Sequence, residues 1–141
     1  MNELIYIVIA LVLGSTLGLE RTLAGKTAGM RTFGLVSMGS CLFILIAQLV
    51  IPTVDTFNYD PLRMATGIVM GIGFICGGVI IFKEQTLRGL TTAAGLWVAA
   101  GIGMAVGYGL LSLAFVATGA TLLVFTAFWF FEHKVIRDSD E

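Results

Sequence analysis

Charge is what this sequence has least of. Only 12% of its 141 residues are charged and 57% are apolar, where a soluble domain carries roughly 25% charged residues. Eight basic and nine acidic side chains cannot cover the surface of a folded soluble chain of this size, so a soluble enzyme is excluded first. There is no basic face to neutralise phosphates, which removes nucleic acid as a partner. The two cysteines, Cys41 and Cys76, sit in separate apolar stretches. They form neither a disulfide framework nor a metal-binding spacing, and read as small packing residues. The single histidine, His133, stands alone near the C-terminus, and no nucleophile lies beside a base. Enzymatic activity is not expected.

What is present is apolar sequence in lengths that match a membrane. Four stretches qualify, Glu3–Glu20, Thr32–Val50, Arg63–Phe82 and Gly89–Phe131, because a helix crossing the hydrocarbon core needs about 20 apolar residues. The last is long enough for two spans, and Gly107-Tyr108-Gly109 is the natural break, which gives Thr91–Gly107 and Leu110–Phe131. The expected fold is therefore an all-α membrane protein of about five transmembrane helices. The first run lacks a basic segment before it and is followed by Glu20-Arg21, not by a small-residue cleavage site, so it reads as a retained helix. Residues 1–132 form one transmembrane domain in this reading, with 133–141 a short polar cytoplasmic tail.

The few charges set the orientation, because short loops rich in Lys and Arg stay in the cytoplasm. With the N-terminus outside and the C-terminus inside, Arg21, Lys26, Arg31, Lys83, Arg88, Lys134 and Arg137 are cytoplasmic and only Arg63 is external. Trp129, Phe130 and Phe131 fall where an interfacial aromatic belt belongs. Asp60-Pro61 reads as the cap and first residue of the third span, and Thr91-Thr92 as caps of the fourth.

Glycine is abundant, with 18 residues, and much of it lies at helical spacing. Gly14 and Gly18 stand four apart in the first span. Gly95, Ala99, Gly103 and Gly107 repeat in the fourth. The third carries Gly67, Gly71 and Gly78 on one face and Gly73 and Gly77 on another. Small residues at this spacing let backbones approach in lipid, so two smooth faces on the third span imply two close neighbours. Intramolecular packing, a subunit interface and a backbone-lined pathway all use such faces.

No Asp, Glu, Lys, Arg or His lies inside any span, away from its ends, whereas ion-coupled transporters usually keep an ionisable residue near the midplane. The charges gather instead at the cytoplasmic mouth. Glu20 and Arg21 close the first span, Arg31 and Thr32 open the second, and Arg88, Thr91 and Thr92 open the fourth. The second and fourth helices also point their positive dipole ends there, so an anion or lipid-phosphate site is physically reasonable. The simpler alternative has Arg31 and Arg88 fixing topology and pairing with Glu20 or Glu84. On the outer side, Asp55 and Asp60 offer oxygen ligands suited to hard divalent cations, although a solvated acidic turn and the capping role of Asp60 explain them as well.

These pieces together resemble the MgtC/SapB family of bacterial inner-membrane proteins. The resemblance rests on Gly18-Leu19-Glu20-Arg21, Gly25-Lys26, Gly29-Met30-Arg31-Thr32, Asp60-Pro61-Leu62-Arg63-Met64-Ala65, Gly71-Ile72-Gly73-Phe74 and Arg88 through Trp97. It implies a polytopic membrane domain associated with growth under magnesium limitation and with adaptation to host or acid stress. Members have been read both as magnesium transporters and as modulators of other membrane proteins. Longer members carry a cytoplasmic C-terminal regulatory domain, and this chain is expected to be a short form without it. Phe33 stands where many members have a histidine, and Gly67 where they have a glutamine. No cofactor is expected, and Mg2+ enters only as an ion transported or sensed. The expected partners are the lipid bilayer, further copies of the chain and a second membrane protein.

Overall fold

A computed structural model describes residues 3–50, 60, 62–83 and 86–128. Five α-helices dominate it: α1 (Glu3–Leu23), α2 (Met30–Val50), α3 (Arg63–Val79), α4 (Leu90–Gly107) and α5 (Leu111–Leu123). A π-helical turn, Val124–Phe128, continues α5, and a small antiparallel hairpin, β1 (Ile81–Lys83) and β2 (Thr86–Arg88), links α3 to α4. Among the described residues, four helices are long and apolar enough to cross a membrane: α1, α2, α4 and the α5–π segment Leu111–Phe128. The chain is thus a helical membrane protein. Helices suit that solvent because lipid offers nothing to bond a free amide, and a helix satisfies its own. The threonines follow the same rule, since Thr16, Thr118 and Thr121 each donate to the carbonyl one turn earlier at 2.7–2.8 Å.

α3 departs from expectation. It ends at Val79, where Ile80 turns to extended backbone (φ −80°, ψ 113°), and at 17 residues it is shorter than the four spanning segments. The expected continuation to Phe82 is instead strand. Gly77-Gly78 weakens the helix, and the β-branched run Val79-Ile80-Ile81 prefers extended backbone.

The centre is a close trio of α1, α2 and α4. Leu13 and Leu17 from α1, Phe33 and Cys41 from α2, and Leu96, Ala99, Ile102 and Val106 from α4 form one buried cluster. Small residues bring the backbones together. A Cβ on Gly14 would lie 2.6 Å from the Phe33 carbonyl, one on Gly18 would lie 2.6 Å from the Gly29 carbonyl, and one on Gly103 would overlap the Ser37 carbonyl outright. A Cβ on Gly95 would lie 2.5 Å from the Phe125 ring. By contrast, a Cβ on Gly67, Gly71, Gly73, Gly77 or Gly78 would meet nothing within 4 Å. The expected pair of close neighbours for the α3 glycines is therefore absent within the described residues. Only Ile72 of α3 is buried, and the helix is held mainly by α4, where Cys76 Sγ donates to the Ala93 carbonyl at 3.2 Å.

Local bonds explain the turns. At the end of α1, Lys26 N–H reaches the Arg21 carbonyl at 2.9 Å and Gly25 N–H the Thr22 carbonyl at 3.1 Å, with Gly25 at φ +65°. That is a Schellman closure, which needs a left-handed residue and so favours glycine. The same pattern ends α4 at Gly109, with Leu110 N–H bonding the Ala105 carbonyl at 2.8 Å. Thr22 Oγ1 ties the α1–α2 connection shut by donating to the Gly18 carbonyl and accepting from Met30 N–H at 3.0 Å. At α3 the expected cap is corrected: Leu62 is the cap and Arg63 the first helical residue, while Asp60 holds the turn before them, accepting from Leu62 N–H at 2.9 Å on its carboxylate and from Arg63 N–H on its carbonyl. The expected capping of α4 by Thr91-Thr92 is corrected: both lie inside its first turn, and the cap is Gly89 at φ +90°, which has no side chain to bond.

Candidate functional site

Chain direction alternates through the bundle, so one pole collects the C-terminal ends of α1 and α3, the N-terminal ends of α2 and α4, and the π turn after α5. Glu20, Arg21, Lys26, Arg31 and Arg88 all belong to that pole. Asp60 and Arg63 belong to the opposite one. The expected gathering of charge thus has a structural counterpart, but the residues within it are not equivalent.

Arg21 is the buried one, 3% exposed although it is charged. Three contacts hold it. Its Nε donates to the carboxylate of Glu20, its neighbour in the chain. Its guanidinium carbon lies 3.8 Å from the centroid of the Phe125 ring, the geometry in which a cation is attracted to an aromatic face. Phe125 in turn meets Phe33 edge to face, with centroids 6.5 Å apart and planes at 83°, the arrangement that aromatic quadrupoles favour. Glycine at position 95 makes room for this stack, because a side chain there would strike both rings.

A cavity of about 430 Å³ opens beside the stack. Among the described residues, Arg21, Lys26, Gly89, Thr91, Thr92, Leu87, Leu90, Val124, Phe125 and Phe128 line it, two cations and no acid. Thr92 is 3% exposed. The first helical bond of α4 runs from Ala93 N–H to the Gly89 carbonyl at 2.8 Å. The Leu90, Thr91 and Thr92 amides ahead of it are the ones a helix start leaves without intrahelical acceptors. Chemically, this is a pocket for negative charge.

Of the residues expected at this mouth, the structure brings together Glu20, Arg21, Thr91 and Thr92. Arg31 and Arg88 are exposed and lie outside the cavity lining. The suggested pairing of Arg31 or Arg88 with Glu20 is replaced by the Glu20–Arg21 pair, and Glu84 lies outside the described residues. Thr32 lines a separate apolar groove of about 630 Å³ between α2 and α3, together with Ser40, Gly67, Gly71 and Ile72. Asp55 and the aromatic trio at 129–131 also lie outside the described residues, as do the tail and its cations. Asp60 spends its carboxylate on the turn into α3. No group of three metal-ligating side chains occurs among the described residues. Sequence reasoning missed Phe125 and Lys26 as parts of the site. The Gly25-Lys26 pair was a usable signal for the second, since a C-terminal glycine fixes where the next residue emerges.

Fold and site together define a helical membrane protein with a cationic pocket at one pole. The chain belongs to the MgtC family, whose sequence profile matches residues 7–134. It is 40% identical over 128 residues to "Putative magnesium transporter YhiD" of Escherichia coli K12, covering 89% of this chain and 60% of that protein. It is 41% identical over 109 residues to "Protein MgtC" of Brucella abortus, covering 77% and 44% respectively. A Synechocystis protein, slr0014, is 43% identical over 95 residues, covering 66% and 38%. The chain therefore spans between about 38% and 60% of the length of these curated relatives. No solved structure matches it.

Proposed function

We propose that this chain is a multi-pass protein of the bacterial inner membrane, N-terminus outside and C-terminus inside, that supports magnesium-linked homeostasis or stress adaptation without enzymatic activity. It acts by associating with further copies of itself or with a membrane partner. The observation that carries this reading is α3. Its five glycines recur on two faces, and a Cβ added to any of them would meet nothing within 4 Å. Small residues in lipid serve backbone approach, and a helix with open glycine faces is a surface that another helix completes. The magnesium link comes from the family and from the name given to the Escherichia coli relative.

That same name favours a second reading, an oligomeric magnesium transporter or channel with α3 lining the path. Against it stands the absence of any Asp, Glu, Lys, Arg or His away from the ends of the described helices.

Two measurements decide between them. Gly71→Leu is expected to leave the melting temperature of the monomer nearly unchanged, since the site is open, while abolishing self-association in size-exclusion with light scattering. Unchanged assembly would reject α3 as the contact surface. Mg2+ flux into liposomes containing purified protein is expected to equal that of empty liposomes, and clear saturable flux would establish the transporter reading.

A further inference from the structure

We propose that the polar cavity between Arg21 and the start of α4 is a binding site for a phosphoryl anion, either free inorganic phosphate or the headgroup of an anionic phospholipid. The inference does not depend on the functional reading above.

Three independent observations converge on it. The first is Arg21. A guanidinium has five N–H donors, and among the described residues the only hydrogen bond from this one is the Nε donation to Glu20. The flat face is taken by Phe125, so what is left is the edge carrying the terminal nitrogens, the part that forks onto two oxygens of a phosphate or carboxylate. A buried cation with spare donors is expensive unless something engages them.

The second is Thr92. It is 3% exposed, lines the cavity, and has no hydrogen-bond partner for its hydroxyl among the described residues. The other buried threonine, Thr118, satisfies its hydroxyl on the carbonyl one turn back. Thr92 sits in the first turn of α4, so no helical carbonyl lies a full turn before it.

The third is the helix start. α4 has 18 residues, and Gly89, its cap, is at φ +90° with no side chain to cap the free amides. The position is also sterically closed, since a Cβ there would overlap the Val79 carbonyl. Serine, threonine or aspartate, the usual caps, would therefore be strained here. Beyond water, an external anion is what satisfies amides at such a start, and the helix dipole favours it there. Lys26 adds a second positive charge, and its backbone bond to Arg21 keeps it at the same rim. Glu20 is spent on Arg21 and is not part of the lining.

The full chain in neutral detergent tests this. Its melting temperature is followed against inorganic phosphate at constant ionic strength, and separately against phosphatidylglycerol in the micelles, with phosphatidylcholine as control. Saturable stabilisation is expected in at least one arm; phosphate alone identifies the free ion, and phosphatidylglycerol alone identifies the lipid headgroup. R21K keeps the charge and loses the fork, and should raise the midpoint about tenfold or more, while T92V and K26Q should raise it about fivefold. R31Q and R88Q, which lie outside the lining, should leave the midpoint in place. Should R21K not fold, T92V and K26Q decide the matter alone, because one is isosteric and the other changes an exposed side chain. No saturation in either arm overturns the site. So does an unmoved midpoint in both T92V and K26Q, or an equal rise in R31Q and R88Q, which would mark a diffuse charge effect.

Discussion

Gly101 and Gly103 lie two residues apart in the middle of α4, and their surroundings differ completely. Beside Gly101 an added Cβ meets nothing within 4 Å, whereas at Gly103 it runs into the Ser37 backbone. Ser37 stands between α4 and Gly14 of α1, fully buried, and its hydroxyl has no hydrogen-bond partner among the described residues. Backbone cannot give way as a flexible side chain does. Gly103→Ala is therefore expected to cost about 1–3 kcal/mol, the usual range for overpacking, while Gly101→Ala should be neutral or gain up to about 1 kcal/mol of helix propensity. Thermal melting of the two variants in the same detergent checks this, and equal melting temperatures would remove the distinction. Nothing in the sequence separates these two positions. Similarly, Arg21, Arg31 and Arg88 all sit near helix ends, and which of them is buried depends on Phe125, a residue far along the chain in a featureless apolar run. The stripe of Gly95, Gly103 and Gly107 was legible as a contact face, and it does meet Phe33, Ser37 and Ile44 of α2. The equally regular α3 stripe meets nothing, because spacing reports capacity for close approach without naming the neighbour.

Element ends were more readable than element faces. The Gly107-Tyr108-Gly109 break falls where α4 closes, since a left-handed glycine leaves a signature in sequence. The α3 end was not readable, because Ile80-Ile81-Phe82 is as apolar as any helix and hydropathy does not distinguish a helical turn from a strand. The π turn is silent for the same reason, although it carries Phe125, 5% exposed, into the stack with Arg21. The Schellman closure of α1 offers a clean measurement of one element end. Gly25 has open space around it, so Gly25→Ala tests conformation alone and should cost about 1–2 kcal/mol. At Gly89 the same strain is joined by a clash with the Val79 carbonyl, and Gly89→Ala should cost more. Chemical or thermal unfolding of the pair checks the order, and a Gly25→Ala loss equal to or above that of Gly89→Ala would contradict it.

For the whole molecule, the arrangement divides charge by pole, and the orientation proposed from that division has a direct readout. In a background lacking Cys41 and Cys76, a cysteine at Lys26 should resist a membrane-impermeant thiol reagent in intact cells, and one at Asn58 should react. Labelling at position 26 from outside would invert the topology. α1, α2 and α4 form a tight trio, and α3 is fastened mainly to α4 and at the hairpin, with most of its surface uncovered.

The short length of α3 bears on the surrounding bilayer. Seventeen residues rise only about 25 Å as a helix, against a hydrocarbon layer of about 30 Å. Where α3 crosses it, the bilayer thins around the helix or the residues at its ends reach outward to the headgroups, and it relaxes again around the longer neighbours. If copies associate through α3 as proposed, two such dents would cost less merged than apart, so thicker bilayers would press the α3 faces together and thinner ones would let them part.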